Sequence, residues 1–333
     1  MENLIFYCKS FSRDFAQFGK LVETFNLYNK DNIKLVASVP ENEVDIFKPF
    51  ESNNIHLISD ESFAKDYMFK EAPNYCSLGY ANQEICKLVF FKTNLCKNYL
   101  VLDSDCLFIR DFYKSDFMYD ENTPYIVLVM DKDLCIEKDY NKIHWNARQA
   151  KIKEIYDYIG LKDARLRTCH NCQVFNCAVL QDFEDNFIKP NGLSYTKLID
   201  ISAYEFSWYN AWFQKCKLIP EYAVEPFFKM FHIKEHYIFS HLHAISKDDI
   251  AKAYLGIIMN SSWALYANGG GITDYESPNE SYKNFYESIS NDSFKLQDFT
   301  MKTTLKIFRF ALKYISRKLR GKKNKKLLIV GKL

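Results

Sequence analysis

Residues 99–112 read YLVLDSDCLFIRDF. Four apolar residues, Tyr99 to Leu102, run into Asp103, Ser104 and Asp105, and an apolar run resumes at Cys106. Ionised carboxylates in an apolar setting are costly unless they reach water or neutralise something. Side chains of an extended segment alternate faces, so Asp103 and Asp105 are expected on one side and Ser104 on the other. Two like charges on one face repel unless a cation lies between them. The stretch therefore predicts a buried strand that ends in a cation-binding pair.

The flanking sequence gives that strand a context. Leu4 to Tyr7, Ile33 to Ser38 and Ile55 to Ile58 are expected strands, with a helix over 10–28 after the first. Gln83 to Leu95 is expected as the helix that precedes the DSD strand. Tyr125 to Met130, Gln173 to Leu180 and Phe227 to Phe231 read as later strands, with helices over Trp145 to Ile159 and Ala203 to Lys215. Strand and helix patterns that alternate in this way argue for an α/β fold with a mostly parallel twisted sheet flanked by helices. NGGG (268–271) and ESPNE (276–280) read as turns. Neither an internal repeat nor a linker shows before about residue 290, so residues 1–298 read as one domain and 299–333 as a tail.

The 333 residues can bury a large core, and the 48% apolar and 26% charged content is ordinary for a soluble protein. The 17% aromatic content is high and carries little functional weight. No run of about 20 uninterrupted apolar residues predicts a membrane span. The N-terminal MENLIFYCKSFSRDF has no basic stretch followed by an apolar block, so no signal peptide is expected. Ten scattered cysteines suit reduced, mostly buried thiols in a cytosolic protein. The C-x-x-C of Cys169 and Cys172, with His170 between, has no second pair at zinc-site spacing and reads as incidental.

In open α/β sheets ligands collect beyond the carboxyl ends of strands, which is where Asp103 and Asp105 fall. Carboxylates there suit Mn²⁺ or Mg²⁺, commonly held by a few carboxylates together with substrate phosphates. A strand end with solvated acids would give the same pattern.

The sequence resembles glycosyltransferases of the GT-A fold, and more closely a bacterial D-x-D family of such proteins. The resemblance covers about residues 3–265, through SFSRD, GYANQEICKL, YLVLDSDCLF, VFNCAVL, SAYEFSWY, FKMFHIKEHY and YLGIIMNSSW in that order. It implies that Asp103 and Asp105 serve the metal and the diphosphate of a nucleotide sugar, a UDP-sugar in the first instance. Tyr7, Ser10, Asp14, Gln83, Lys87 and Ser104 would join Asp103 on the donor side. Lys87 reads equally well as a solvated helix charge. Asn176 in VFNCAVL would face the donor sugar or the acceptor, or make a plain structural bond. Glu205, set among aromatics, tends toward a raised pKa and would be the base toward an acceptor hydroxyl; the alternative is a buried partner for a tyrosine. His232, after FFKMF, would be a further metal ligand, with His241 and His243 as competitors and His236 close by. An imidazole beside carboxylates favours Mn²⁺. The reaction implied is hexosyl transfer to a saccharide or lipid-linked saccharide, in bacterial surface-glycan synthesis.

The tail has a chemistry of its own. From Phe299 to Leu333 there are 12 Lys or Arg and no acid, which leaves 32 basic against 42 acidic residues before it. Leu305, Phe308, Leu312, Ile315 and Leu319 recur at helical spacing, and Lys302, Lys306, Arg309, Lys313, Arg317 and Arg320 run beside them. Over residues 302–326 this predicts a basic amphipathic helix for an anionic membrane surface, and so a cytoplasmic protein peripheral on the inner membrane face. A helix packed on the body is the alternative. The acidic body speaks against nucleic acid. Two rival functions compete with the transferase. A haloacid-dehalogenase-like phosphatase also starts from a strand ending in D-x-D, but Cys106-Leu107-Phe108 replaces its glycine-rich continuation. A non-catalytic membrane-bound scaffold would keep the fold and the tail.

Overall fold

The computed structural model describes residues 1–130, 145–162, 165–169, 172–232, 240, 245–259 and scattered positions between 305 and 316. His170, His236, His241, His243, the turns at 268–271 and 276–280, and most of the basic stripe lie outside the described residues.

Strand β1 (Glu2–Lys9) is buried along nearly its whole length, as both faces of a central parallel strand must be. Helix α1 (Phe15–Tyr28) follows, then β2 (Leu35–Val39) and β3 (Ile55–Ser59). Helix α2 (Leu78–Val89) starts five residues before the expected Gln83, because the Ser77 side chain caps it by accepting from the backbone N–H of Tyr80. Strand β4 (Cys96–Asp103) carries the opening stretch, and the short β5 (Cys106–Phe108) continues from it. Strand β6 is only Ile126–Val127. Helix α3 (Asn146–Ile159) ends at Gly160, whose φ of 74° needs a glycine-tolerant conformation.

The expected strand over Gln173 to Leu180 splits in two. Only Val174–Asn176 is strand, β7, and Cys177–Phe183 is helix α4. Asn176 makes the switch, since its side chain accepts from the backbone N–H of Val179 as an N-cap. Helix α5 (Glu205–Cys216), β8 (Ala223–Val224), β9 (Phe228–Phe231) and β10 (Gly256–Met259) complete the parts that matter for the site.

The main sheet has the order β3-β2-β1-β4-β7. Its first four strands are parallel, and β7 is antiparallel to β4. Register pairs Lys9 with Asp103, so β1 and β4 end together. A second sheet, β5-β10-β9, holds β10 antiparallel to β5 and parallel to β9. The fold is therefore α/β with a mostly parallel sheet between helices. Much of the aromatic content is core: Phe6 stacks or crosses Phe25, Phe108, Phe112 and Phe117 with ring centroids 5.0–5.8 Å apart. Among the described residues no helix is long and apolar enough to cross a membrane.

Candidate functional site

The DSD pair does not continue as extended strand. β4 stops at Asp103, and Ser104 and Asp105 form a turn before β5. The two carboxylates consequently differ: the Asp103 side chain is 33% exposed, whereas Asp105 is buried. Ser104, also buried, donates to Ser10 Oγ at 3.0 Å and so fastens the turn to the end of β1. Helical spacing on α2 brings Gln83 and Lys87 over this point. Gln83 Nε2 donates to Asp103 Oδ1 at 3.3 Å, and Lys87 Nζ lies 2.8 Å from the same oxygen.

Lys87 is not a solvated helix charge. It is 2% exposed, and its ammonium also lies 2.8 Å from Glu205 Oε1 and 3.9 Å from Glu84 Oε2. Burial works against that charge, but Asp103, Glu205 and Glu84 outweigh it, so Lys87 stays protonated. The expectation of a raised pKa for Glu205 is overturned by the same contact. Burial pushes Glu205 up, Lys87 pulls it down further, and its pKa is lowered. The raised acid of the cluster is Glu84, pushed well above the carboxylate range by burial and by Glu205 beside it. The sequence reading missed Glu84, although its spacing of three from Lys87 is a helical ion-pair signal.

Asp14, just before α1, belongs to the same neighbourhood. Burial pushes its carboxyl up to about 6, with Arg13 opposing and Asp103 adding to the rise. Tyr7 turns the other way. Its ring stacks on Phe90, and its hydroxyl is 2.8 Å from Ser38 Oγ. Ser38 spends its one hydrogen on Asp60, so Tyr7 is the donor. Lys9 closes that buried network by pairing with Asp60 at 3.0 Å.

Asn176 lies far from the turn. It pairs in register with Asn98, five residues before Asp103, and thus about 17 Å along the strand. Both ends of its amide are used: the oxygen caps α4, and Nδ2 donates to Asn98 Oδ1 at 2.8 Å.

His232 reaches the site edge through the second sheet. Cys106, Ile258 and Met230 are aligned across β5, β10 and β9. Asp105 precedes Cys106 and His232 follows Phe231, which puts them at the same end of that sheet. Two strand spacings, about 10 Å, separate their backbones. Among the described residues no group of three or more His, Cys, Asp or Glu side chains is gathered to hold a metal ion. Two carboxylates and an imidazole are nevertheless a donor set that fits Mn²⁺ or Mg²⁺, ions that complete their shells with phosphate oxygens and water rather than with an all-protein cage.

A model of a protein family, "Family of unknown function (DUF6492)", matches residues 8–154, a span that contains the DSD turn, Gln83 and Lys87. No curated protein matches the sequence. Similar solved structures include mouse xyloside xylosyltransferase 1, at 8% identity and TM-score 0.42, over 78% of this chain and 98% of that one. The galactosyltransferase LgtC is similar over 78% of this chain and 88% of its own, at 10% identity and TM-score 0.38. The S. cerevisiae mannosyltransferase Ktr4p is similar over 62% of each chain, at 10% identity and TM-score 0.32. At such identities and scores these likenesses carry no argument.

Proposed function

We propose that the protein is a metal-dependent glycosyltransferase that moves a sugar from a nucleotide-sugar donor to a saccharide acceptor. The observation that supports this reading is one of register: Asp103 closes β4 where β1 also ends, and Asp105 and His232 lie at the same end of the second sheet. That edge is where ligands bind in open α/β sheets. A divalent cation held there by the two aspartates and His232 would supply Lewis-acid stabilisation of a departing diphosphate.

The chain's own residues do the positioning. Lys87 and Gln83 both hold Oδ1 of Asp103, which leaves Oδ2 as the oxygen presented to a ligand. Ser104 and Ser10 fix the turn against β1. Glu205, at 5% exposure and paired to Lys87, anchors that lysine from α5. The donor we favour is a UDP-sugar, and the acceptor a lipid-linked saccharide of a surface glycan. Support for a membrane-side acceptor comes from the tail. Leu305, Phe308, Leu312 and Ile315 are 50–61% exposed at helical positions, within a segment whose only charges are basic. Such a face fits an anionic leaflet, with the protein peripheral on the cytoplasmic side.

Thermal shift with UDP-, GDP-, CMP- and dTDP-sugars, with and without Mn²⁺, tests the reading on wild type and Asp105→Ala. A ligand at 100 times its dissociation constant stabilises by about 2.7 kcal/mol. One nucleotide class should raise the melting temperature only with metal, and Asp105→Ala should remove the shift. Absence of a shift from every donor, with the protein folded, rejects the transferase and favours the scaffold.

A further inference from the structure

A nucleoside diphosphate that approaches this edge meets carboxylates: Asp14, Asp103 and Asp105 lie around it, with Glu84 and Glu205 beneath. A divalent cation on the aspartates would offset only part of that charge, and the rest has to come from basic side chains. Lys87 is 2% exposed and its ammonium already serves Asp103 and Glu205. Lys9 is buried and paired with Asp60.

Arg148 is different. It stands in the first turn of α3, and its guanidinium lies over the ring of Tyr204, 4.8 Å from the centroid. Among the described residues it pairs with no carboxylate, and its Nε is buried without a hydrogen-bond partner. A guanidinium stays charged at any physiological pH, and a buried polar group without a partner calls for an explanation. A guanidinium stacked on an aromatic face keeps its in-plane terminal N–H groups for an anion. Tyr204 immediately precedes Glu205, whose carboxylate reaches Asp103 through the single ammonium of Lys87. The loop that carries Tyr204 also packs on α2, the helix that holds Asp103, since Tyr80 Oη donates to the carbonyl oxygen of Ala203 at 3.4 Å. A second observation points to the same loop. Ser202, 3% exposed and two residues before Tyr204, has a buried hydroxyl without a hydrogen-bond partner.

We propose that Arg148, held on Tyr204, is a phosphate-binding residue of this edge, and that it takes a diphosphate group of the substrate. The proposal rests on the transferase reading. The diphosphate belongs either to the nucleotide donor or to a lipid-diphosphate acceptor, and the recognition chemistry is the same for both: charge-assisted bonds from a planar fork to phosphate oxygens.

Calorimetric titration of the full-length protein in Mn²⁺ tests it, with UDP as the donor-side probe and geranyl diphosphate as the acceptor-side probe. Arg148→Ala should weaken binding of one probe at least about tenfold, the loss expected for a hydrogen bond to a charged group. Arg148→Lys should recover part of that loss, because it keeps the charge but not the fork. A loss confined to UDP assigns Arg148 to the donor, and a loss confined to geranyl diphosphate assigns it to the acceptor. Unchanged binding of both probes by a folded Arg148→Ala protein overturns the proposal and leaves the transferase reading intact. If wild type binds neither probe, that reading falls first and the proposal falls with it.

Discussion

The ammonium of Lys87 sits 2.8 Å from the carboxylate of Glu205, 118 residues further along the chain, with both side chains buried. The pair joins the helix before the DSD strand to the helix that covers β7. Because the same nitrogen holds Asp103, a structural ion pair and the candidate site share one cation.

Lys87→Met should destabilise the protein by about 3–5 kcal/mol, since it strands Glu205 as a buried charge without its partner. The double variant Lys87→Met/Glu205→Leu should recover at least half of that loss. Urea denaturation of both proteins checks the pair. Equal stability of Lys87→Met and wild type would contradict the buried geometry.

Gly256→Ala should damage the edge from a distance. A Cβ there would lie 2.3 Å from Phe228 Cε1 and 2.4 Å from the carbonyl oxygen of Leu107. The ring has some room to turn, but the carbonyl belongs to the β5–β10 ladder. We expect a cost of about 1–3 kcal/mol or more from overpacking, together with weaker Mn²⁺-dependent donor binding. A variant with full stability and full binding would show that this close approach is dispensable.

Asn176→Ala removes a helix cap, worth about 1 kcal/mol. It also leaves the buried Asn98 oxygen unpaired, which adds about 1–3 kcal/mol. We expect a loss of stability with the donor affinity of the folded protein unchanged. A folded Asn176→Ala protein with wild-type stability and no transfer activity would instead return Asn176 to the chemistry.

Glu184 gives the pH dependence a handle. Burial pushes its carboxyl up, but hydrogen bonds from Lys92, Lys189 and Tyr195 outweigh it and lower the pKa below 4.5. A lowered acid contributes stability that is fully present above the unfolded value and is lost as pH falls through the folded one. Glu184→Gln should therefore be less stable than wild type above about pH 5, and the gap should close on acidification below the unfolded value. Chemical denaturation from neutral to acid pH measures this, and a gap that widens in acid would refute the assignment.

Phe308→Ser combined with Leu312→Ser should weaken sedimentation of the full-length protein with phosphatidylglycerol vesicles, while pure phosphatidylcholine vesicles bind neither form. Equal sedimentation of variant and wild type would remove the tail from membrane binding.

The parallel sheet was legible because β1, β2 and β4 are continuous apolar runs, and such runs read as buried strands. Asp103 and Asp105 stood out in the sequence because the cost of carboxylates in an apolar run is a local fact. The strand over 173–180 was drawn too long because an N-cap at Asn176 inside VFNCAVL leaves the apolar pattern unbroken on both sides. Glu205 was misread in charge state because the lysine that decides it lies 118 residues away. The stacking of Arg148 left no local trace at all, since the ring it lies over, Tyr204, is 56 residues on. Periodicity reports what a residue packs with nearby, whereas ion pairs across the fold follow from topology.

The small sheet has a consequence for how the protein comes into being. Its middle strand, residues 256–259, is the last strand described, yet it alone links Cys106–Phe108 to Phe228–Phe231. Chains fold from the N-terminus as the ribosome releases them, so the parallel strands can assemble while this piece is still unsynthesised. The aspartate turn and His232 acquire their shared edge only when that piece slots between them. A chain that stopped before residue 256 would thus present the parallel strands without that shared edge, and the donor binding proposed here would require residues 256–259 to be in place.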